Sequence, residues 1–143
     1  DEKIIFLGSI ANGYYKQNQF LEAEEAYNEA LELYRALAQN NPSAYNPYVA
    51  TTLNNLAILY SDRNELGKAE EAYNEALELR RALAQNNPSA YGIDLARTII
   101  VGVYSVNQAK ENLDEAEAIL KRYEGVYMAE QLLGFINELR KEE

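Results

Sequence analysis

An all-α stack of helix-turn-helix repeats is the fold class predicted by this 143-residue sequence. Three observations predict it. Residues 23–45 (AEEAYNEALELYRALAQNNPSAY) return 46 residues later as residues 69–91 with one difference, Tyr34 against Arg80. A duplication of that length in so short a chain means stacked copies of one supersecondary unit. Within both copies the apolar residues recur at helical spacing: Ala23, Ala26, Tyr27, Ala30, Leu31 and Tyr34, then Ala69, Ala72, Tyr73, Ala76 and Leu77. Third, Ala, Leu and Glu abound while Pro occurs only 3 times, a helix-favouring composition.

The elements follow in order. Helices are expected over about 2–17, 20–39, 47–62, 65–85, 93–108, 113–124 and 127–140. The runs Asn40-Asn41-Pro42 and Asn86-Asn87-Pro88 read as stops, because the residue before Pro is pushed out of the helical region. Asn46-Pro47 reads as a cap followed by Pro at the first helical position. The helix that follows carries Leu53, Leu56, Ala57 and Tyr60, with Asn64 as its stop or as the next cap. Tyr45 and Tyr91 are expected to pin the Asn-Pro-Ser-Ala turns. Gly125 is expected to end the sixth helix. The last helix groups Met128, Leu132, Phe135, Ile136 and Leu139 on one face, against Glu130, Asn137, Glu138 and Lys141. One apolar and one polar side suit a terminal cap. The expected division is a single domain over 1–143: repeat one 1–45, repeat two 46–91, a degenerate repeat three 92–125, and a capping helix 126–143.

Composition narrows the function classes. Cys and His are both absent, which excludes thiolate chemistry and removes the commonest general base and metal ligand. The expectation is a protein that is not an enzyme, without cofactor or metal. The net charge of −10 argues against nucleic acid and anionic membranes as partners. No apolar run reaches spanning length. The opening at Asp1 shows no charged-then-apolar leader, and the expectation is a signal peptide removed or never present. The cytoplasm is favoured, although the missing cysteines do not settle the compartment. Acid is concentrated on every second helix, while the alternate helices are nearly neutral.

The spacing of small and large residues resembles the tetratricopeptide repeat family. Leu53, Leu56, Ala57, Tyr60, Leu66, Ala69, Tyr73 and Ala76 fall at that family's intervals. Leu7, Ile10, Ala11, Tyr14, Phe20, Ala23, Tyr27 and Ala30 do the same in the first unit. The third unit holds Ile99, Gly102, Val103 and Val106, then Leu113, Ala116, Leu120 and Tyr123 after one extra residue in the turn. The period of 46 exceeds the family's 34 by about three helical turns. With residues 52–57 (TLNNLA), this resembles the extended-period subtype found in kinesin light chains. The resemblance implies a right-handed superhelical solenoid of three repeats plus a C-terminal capping helix.

It also implies function: first helices lining a concave groove that binds a protein or an extended peptide, and second helices facing outward. Groove places fall on Ile5, Gly8, Asn12, Tyr15 and Lys16, then Thr51, Asn54, Asn55, Ile58, Ser61 and Asp62. In the third unit they fall on Arg97, Ile100, Val101, Tyr104, Asn107 and Gln108. An Asn amide both donates and accepts, so Asn12, Asn54, Asn55 and Asn107 suit the two sides of a peptide backbone. Solvated surface or inter-helix bonding is the alternative for them. Tyr15, Ile58 and Tyr104 are candidates for apolar contact. Asn12, Asn55 and Arg97 match three places of the family's five-residue carboxylate clamp, but Gly8 and Val101 stand where cations belong, which argues against that ligand. Glu24-Glu25 and Glu70-Glu71 read as solvated outer-face charge. The alternative to peptide binding is a structural or weakly self-associating scaffold. An engineered origin and a recent duplication explain the near-identity of the copies equally well.

Overall fold

The computed structural model describes residues 19–142, and the helix expected over 2–17 lies outside them. Among the described residues there are six α-helices and no strand: α1 (Phe20–Asn40), α2 (Pro42–Asp62), α3 (Leu66–Asn86), α4 (Pro88–Ser105), α5 (Asn112–Leu120) and α6 (Tyr127–Lys141). A single 3-10 turn, Lys121–Tyr123, extends α5. The chain divides into two compact units, Asp1–Ala76 and Leu77–Glu143, with the division falling inside α3.

In the first unit α1 packs along α2. Ala23, Ala30, Ala50, Ala57 and Ala69 are buried there. Helix axes approach closely only where side chains are small, and the larger residues then interdigitate beside the contact. Leu56 and Leu59 fill that space, and Tyr27, Tyr60 and Tyr73 are buried as their spacing predicts. Full burial of each leucine contributes about 1.5–3 kcal/mol. Buried positions run almost all the way round α2, since Val49, Ala50, Thr52, Leu53, Asn54, Leu56, Ala57, Leu59 and Tyr60 are all enclosed.

The second unit has one continuous core. Leu95, Ile99 and Ile100 of α4 meet Leu113, Ala116 and Leu120 of α5, with Ala129, Ile136 and Leu139 of α6 closing it. Only part of the apolar face expected for α6 is enclosed, because Met128 and Phe135 remain exposed.

Several boundaries correct the sequence reading. Helices α2 and α4 begin at Pro42 and Pro88 rather than near 47 and 93. The physical reason is the rule applied at Asn46-Pro47, which holds equally for Asn41-Pro42 and Asn87-Pro88: a short polar cap, then a residue whose fixed φ and missing N–H suit the first helical position. The Asn87 side chain accepts from the Ala90 backbone N–H at 3.2 Å, which caps α4 directly. Pro47 therefore sits inside α2 and Asn46 is no cap. Tyr45 and Tyr91 lie on the opening turns of helices, not on loops. Helix α4 also stops early, at Ser105, because Asn107 takes a left-handed conformation (φ 59°). Asn tolerates that region better than most residues. Helix α5 ends at Leu120, short of the expected 124, and Gly125 (φ 88°) makes the turn before α6. Asn64 (φ 60°) makes the turn just past the end of α2, the first of the two roles expected for it.

The one difference between the duplicated blocks is matched by a second difference in the helix that follows. In the first unit the Tyr34 ring stacks on Tyr48, with centroids 5.2 Å apart. One repeat later these positions are Arg80 and Asp94. Arg80 is buried, and its guanidinium donates to the Asp94 backbone carbonyl at 3.2 Å and to Thr98 Oγ1 at 2.6 Å. Burial pulls the Arg80 pKa down, and the nearby Asp94 carboxylate opposes that shift. A stacked aromatic pair has been exchanged for a hydrogen-bonded cation. Arg80→Tyr alone leaves Thr98 and a carbonyl short of a donor, and should cost about 1–3 kcal/mol in urea unfolding. Adding Asp94→Tyr recreates the first unit's pair and should recover about half of the loss or more. A double variant no more stable than the sum of its parts would show that the two positions are not coupled.

Candidate functional site

From Val49 onward, the burial of α2 leaves one accessible stripe. Thr51, Asn55, Ile58 and Asp62 occupy it at successive helical intervals of three or four residues. Asn55 and Ile58 are half-buried, and Thr51 is exposed with its hydroxyl donating to the Pro47 carbonyl at 3.0 Å. Ser61 is half-buried beside Asp62. Asn54 stands one residue, about 100°, away from Asn55 around the helix. It is only 5% exposed and already has an interaction partner.

Helix α4 repeats the arrangement. Asp94, Arg97, Val101 and Tyr104 form its accessible stripe, and Ile100, which corresponds to Asn54 one repeat earlier, is buried in the core. The sequence assignment of Ile100 to a groove is therefore corrected. Position 54/100 faces inward in both repeats, and no residue type at that place alters the helical phase. Arg97 is half-buried and pairs with Asp94 at 3.4 Å. Tyr104 is 64% exposed, and its ring meets the edge of Phe135 with centroids 5.4 Å apart. Asn107 is exposed but lies past the end of α4, and Gln108 donates its backbone N–H to the Gly102 carbonyl there. Asn12 and Tyr15 lie outside the described residues, as do Ile5, Gly8 and Lys16.

The second helices carry ion pairs that the sequence did not announce, and one of them takes in Glu24, expected as solvated outer-face charge. Arg35 Nη2 donates to both carboxylate oxygens of Glu75 at 2.8 Å. In the second unit, Arg81 forks onto Glu115 at 2.5 and 3.0 Å. Arg35 and Arg81 are the same place in successive repeats, so the arginine recurs while its carboxylate comes from a different position of the following second helix. Arg140 of α6 reaches both Asp114 (2.6 Å) and Glu117 (3.0 Å) of α5. Glu24 is drawn into the structure as well. It accepts from Tyr60 Oη at 2.9 Å and from Arg63 at 2.8 Å. Burial and then the Glu24 hydrogen bond push the Tyr60 phenol pKa up. Spacing alone could not reveal these pairs, because each joins residues 23 to 40 apart along the chain. The recurrence of Arg at the 35/81 position was the available signal.

Among the described residues no group of Asp, Glu, His or Cys is placed to hold a metal ion, and no helix is long and apolar enough to cross a membrane. A family model described as tetratricopeptide repeat matches residues 4–82, more than half of the chain. Comparison with curated proteins and with solved structures gave no match.

The Arg81 hydrogen bonds hold the Glu115 carboxyl below its ordinary value of 4.5. A carboxyl depressed in the folded state adds stability above its unfolded pKa. That contribution is lost as pH falls through the folded value. Both side chains are largely exposed, so solvent keeps the effect small. Arg81→Met should move the Glu115 titration up toward 4.5 when followed by carbon-13 NMR. An unmoved titration would assign the shift to some other group.

Proposed function

The chain belongs to the tetratricopeptide repeat family, and from that premise we propose that it holds a protein or extended peptide along the accessible stripes of its first helices. Repeats of this family serve generally as protein-interaction modules and are typically non-catalytic. In this reading Asn55 grips peptide backbone through its amide, while Ile58 and Tyr104 supply apolar contact. Arg97 adds a charge at half-buried depth, with Asp94 fixing its direction. Asn54 contributes from within the helix packing rather than by reaching the ligand. Asn107 lies beside the end of the α4 stripe. Asn12 and Tyr15 complete the set by repeat position.

The observation that carries the reading is Tyr104. An aromatic ring 64% exposed and steadied edge-on by Phe135 is a preformed apolar contact with a polar tip. Aromatic residues of this kind dominate binding energy at protein interfaces. Asn55, Ile58, Arg97 and Tyr104 stay accessible after packing, which supports the reading, whereas Asn54 and Ile100 do not.

A random peptide library displayed against the full chain supplies the test. Selected peptides should bind Tyr104→Ala about thirtyfold more weakly, the ordinary scale for an aromatic hot spot. Asn55→Ala with Ile58→Ala should weaken them further, with far-ultraviolet circular dichroism and the melting temperature unchanged by Tyr104→Ala. A library that yields no binder, or binders indifferent to all three changes, sinks the reading. Light scattering over a concentration series addresses the scaffold reading, since growth in mass with concentration would move the function toward self-assembly.

A further inference from the structure

A cleft lies within the second unit, on the opposite side of α4 from the stripe just described. Its origin is the shortness of α5. The duplicated second helices α1 and α3 each run 21 residues, whereas α5 runs nine residues and a single 3-10 turn before Gly125 reverses the chain. Between the end of α3, the start of α4 and this shortened helix lies a cleft of about 420 Å³. That is within the roughly 300–1,000 Å³ of small-ligand sites.

The floor of the cleft is apolar, formed by Ala84, Leu95 and Ile119. Gly92 keeps it shaped. A Cβ there would come within 2.8 Å of Tyr123 Cζ, and the Tyr123 hydroxyl donates to the Pro88 carbonyl across the cleft wall. The rim carries two guanidinium groups, Arg81 and Arg122, and one carboxylate, Glu115. Arg81 is already paired with Glu115, but Arg122 makes no hydrogen bond or ion pair among the described residues. Gln85, also on the rim, has a free amide in the same sense.

The charge at position 122 is a reversal. In the registration that sets Leu113, Ala116 and Leu120 on Leu66, Ala69 and Tyr73, Arg122 falls on Glu75, and Glu29 holds that place one repeat earlier. Two carboxylates and then a guanidinium occupy equivalent positions, and the guanidinium stands where the helix is cut short.

We propose that this cleft binds a short segment of a partner protein in which an aliphatic side chain stands beside a carboxylate. The aliphatic group rests on Ala84, Leu95 and Ile119, and the carboxylate takes the unpaired donors of Arg122, with Gln85 available to the adjoining backbone. The net charge of −10 repels a long acidic tract from a distance, so the site selects one carboxylate next to an apolar residue. Leu95 and Arg97 lie about 200° apart around α4, so this inference does not rest on the first-helix reading.

Nitrogen-15-labelled full chain titrated with acetyl-Asp-Leu-Leu-Asp-amide, and separately with acetyl-Asn-Leu-Leu-Asn-amide, tests it. The acidic peptide should shift the backbone amides of Gln85, Gly92 and Ile119, and the neutral peptide should bind about tenfold more weakly. Arg122→Glu should reduce the acidic peptide to the neutral peptide's affinity or below, and Ala118→Trp, at an exposed cleft position, should block both. If Ala118→Trp does not fold, Arg122→Gln on the exposed rim carries the same comparison. Equal binding of the two peptides, no shifts at the three amides, or undiminished binding to Arg122→Glu would each overturn the proposal.

Discussion

Close approach of helices at small side chains is the constraint on which the rest of the structure depends. Ala23, Ala69 and Ala116 occupy the same place in three repeats, and all three are fully buried. Ala50 and Ala96 do so on the first helices. A larger residue at any of these places would push two helix axes apart and open the space that Leu56, Leu59 and Leu120 now fill. Interiors are packed at crystal-like density, so such a change is felt beyond its own site. The alanines also explain why so many tyrosines can be enclosed. Tyr27, Tyr60 and Tyr73 lie in the room left beside the contacts, with the Tyr60 hydroxyl led out to Glu24.

Around this fixed packing, the repeats vary where a pair of residues can vary together. The exchange of Tyr34 and Tyr48 for Arg80 and Asp94 conserves a contact while changing its chemistry. A buried guanidinium is costly alone, and Thr98 and the Asp94 carbonyl offset that cost by taking its donors. The bidentate Arg81–Glu115 pair and the Arg35–Glu75 pair do the opposite: they keep the chemistry while the surrounding sequence drifts. Exposed pairs of this kind contribute little stability individually. They do explain how the acidic second helices retain fixed places for their few cations.

Departure from the repeat is most informative where it removes something. Helix α5 is the shortest in the chain among the described residues, and the turn at Gly125 brings α6 back onto α4 and α5. That return completes the core with Ala129, Ile136 and Leu139. It also leaves Phe135 at the edge of the core, where it supports Tyr104. The same truncation opens the cleft at Arg122.

By itself the sequence determined the all-α repeat, the helix count among the described residues, and the core tyrosines. These follow from periodicity and from small residues at fixed intervals, which are local properties repeated along the chain. The stops at Asn64 and Gly125 were equally legible, since a left-handed turn needs residues of that kind. The early starts at Pro42 and Pro88 were legible in principle, because a cap followed by Pro occurs there as clearly as at Asn46-Pro47. Only the tertiary structure decided which side of a first helix stays accessible. Asn54 and Asn55 are alike in composition and adjacent in sequence, yet about 100° of rotation encloses one and leaves the other half open. The Arg80 exchange, the ion pairs between second helices and the cleft at Arg122 were likewise settled by packing. Each joins residues far apart in the chain, and no local pattern carries the distance between them.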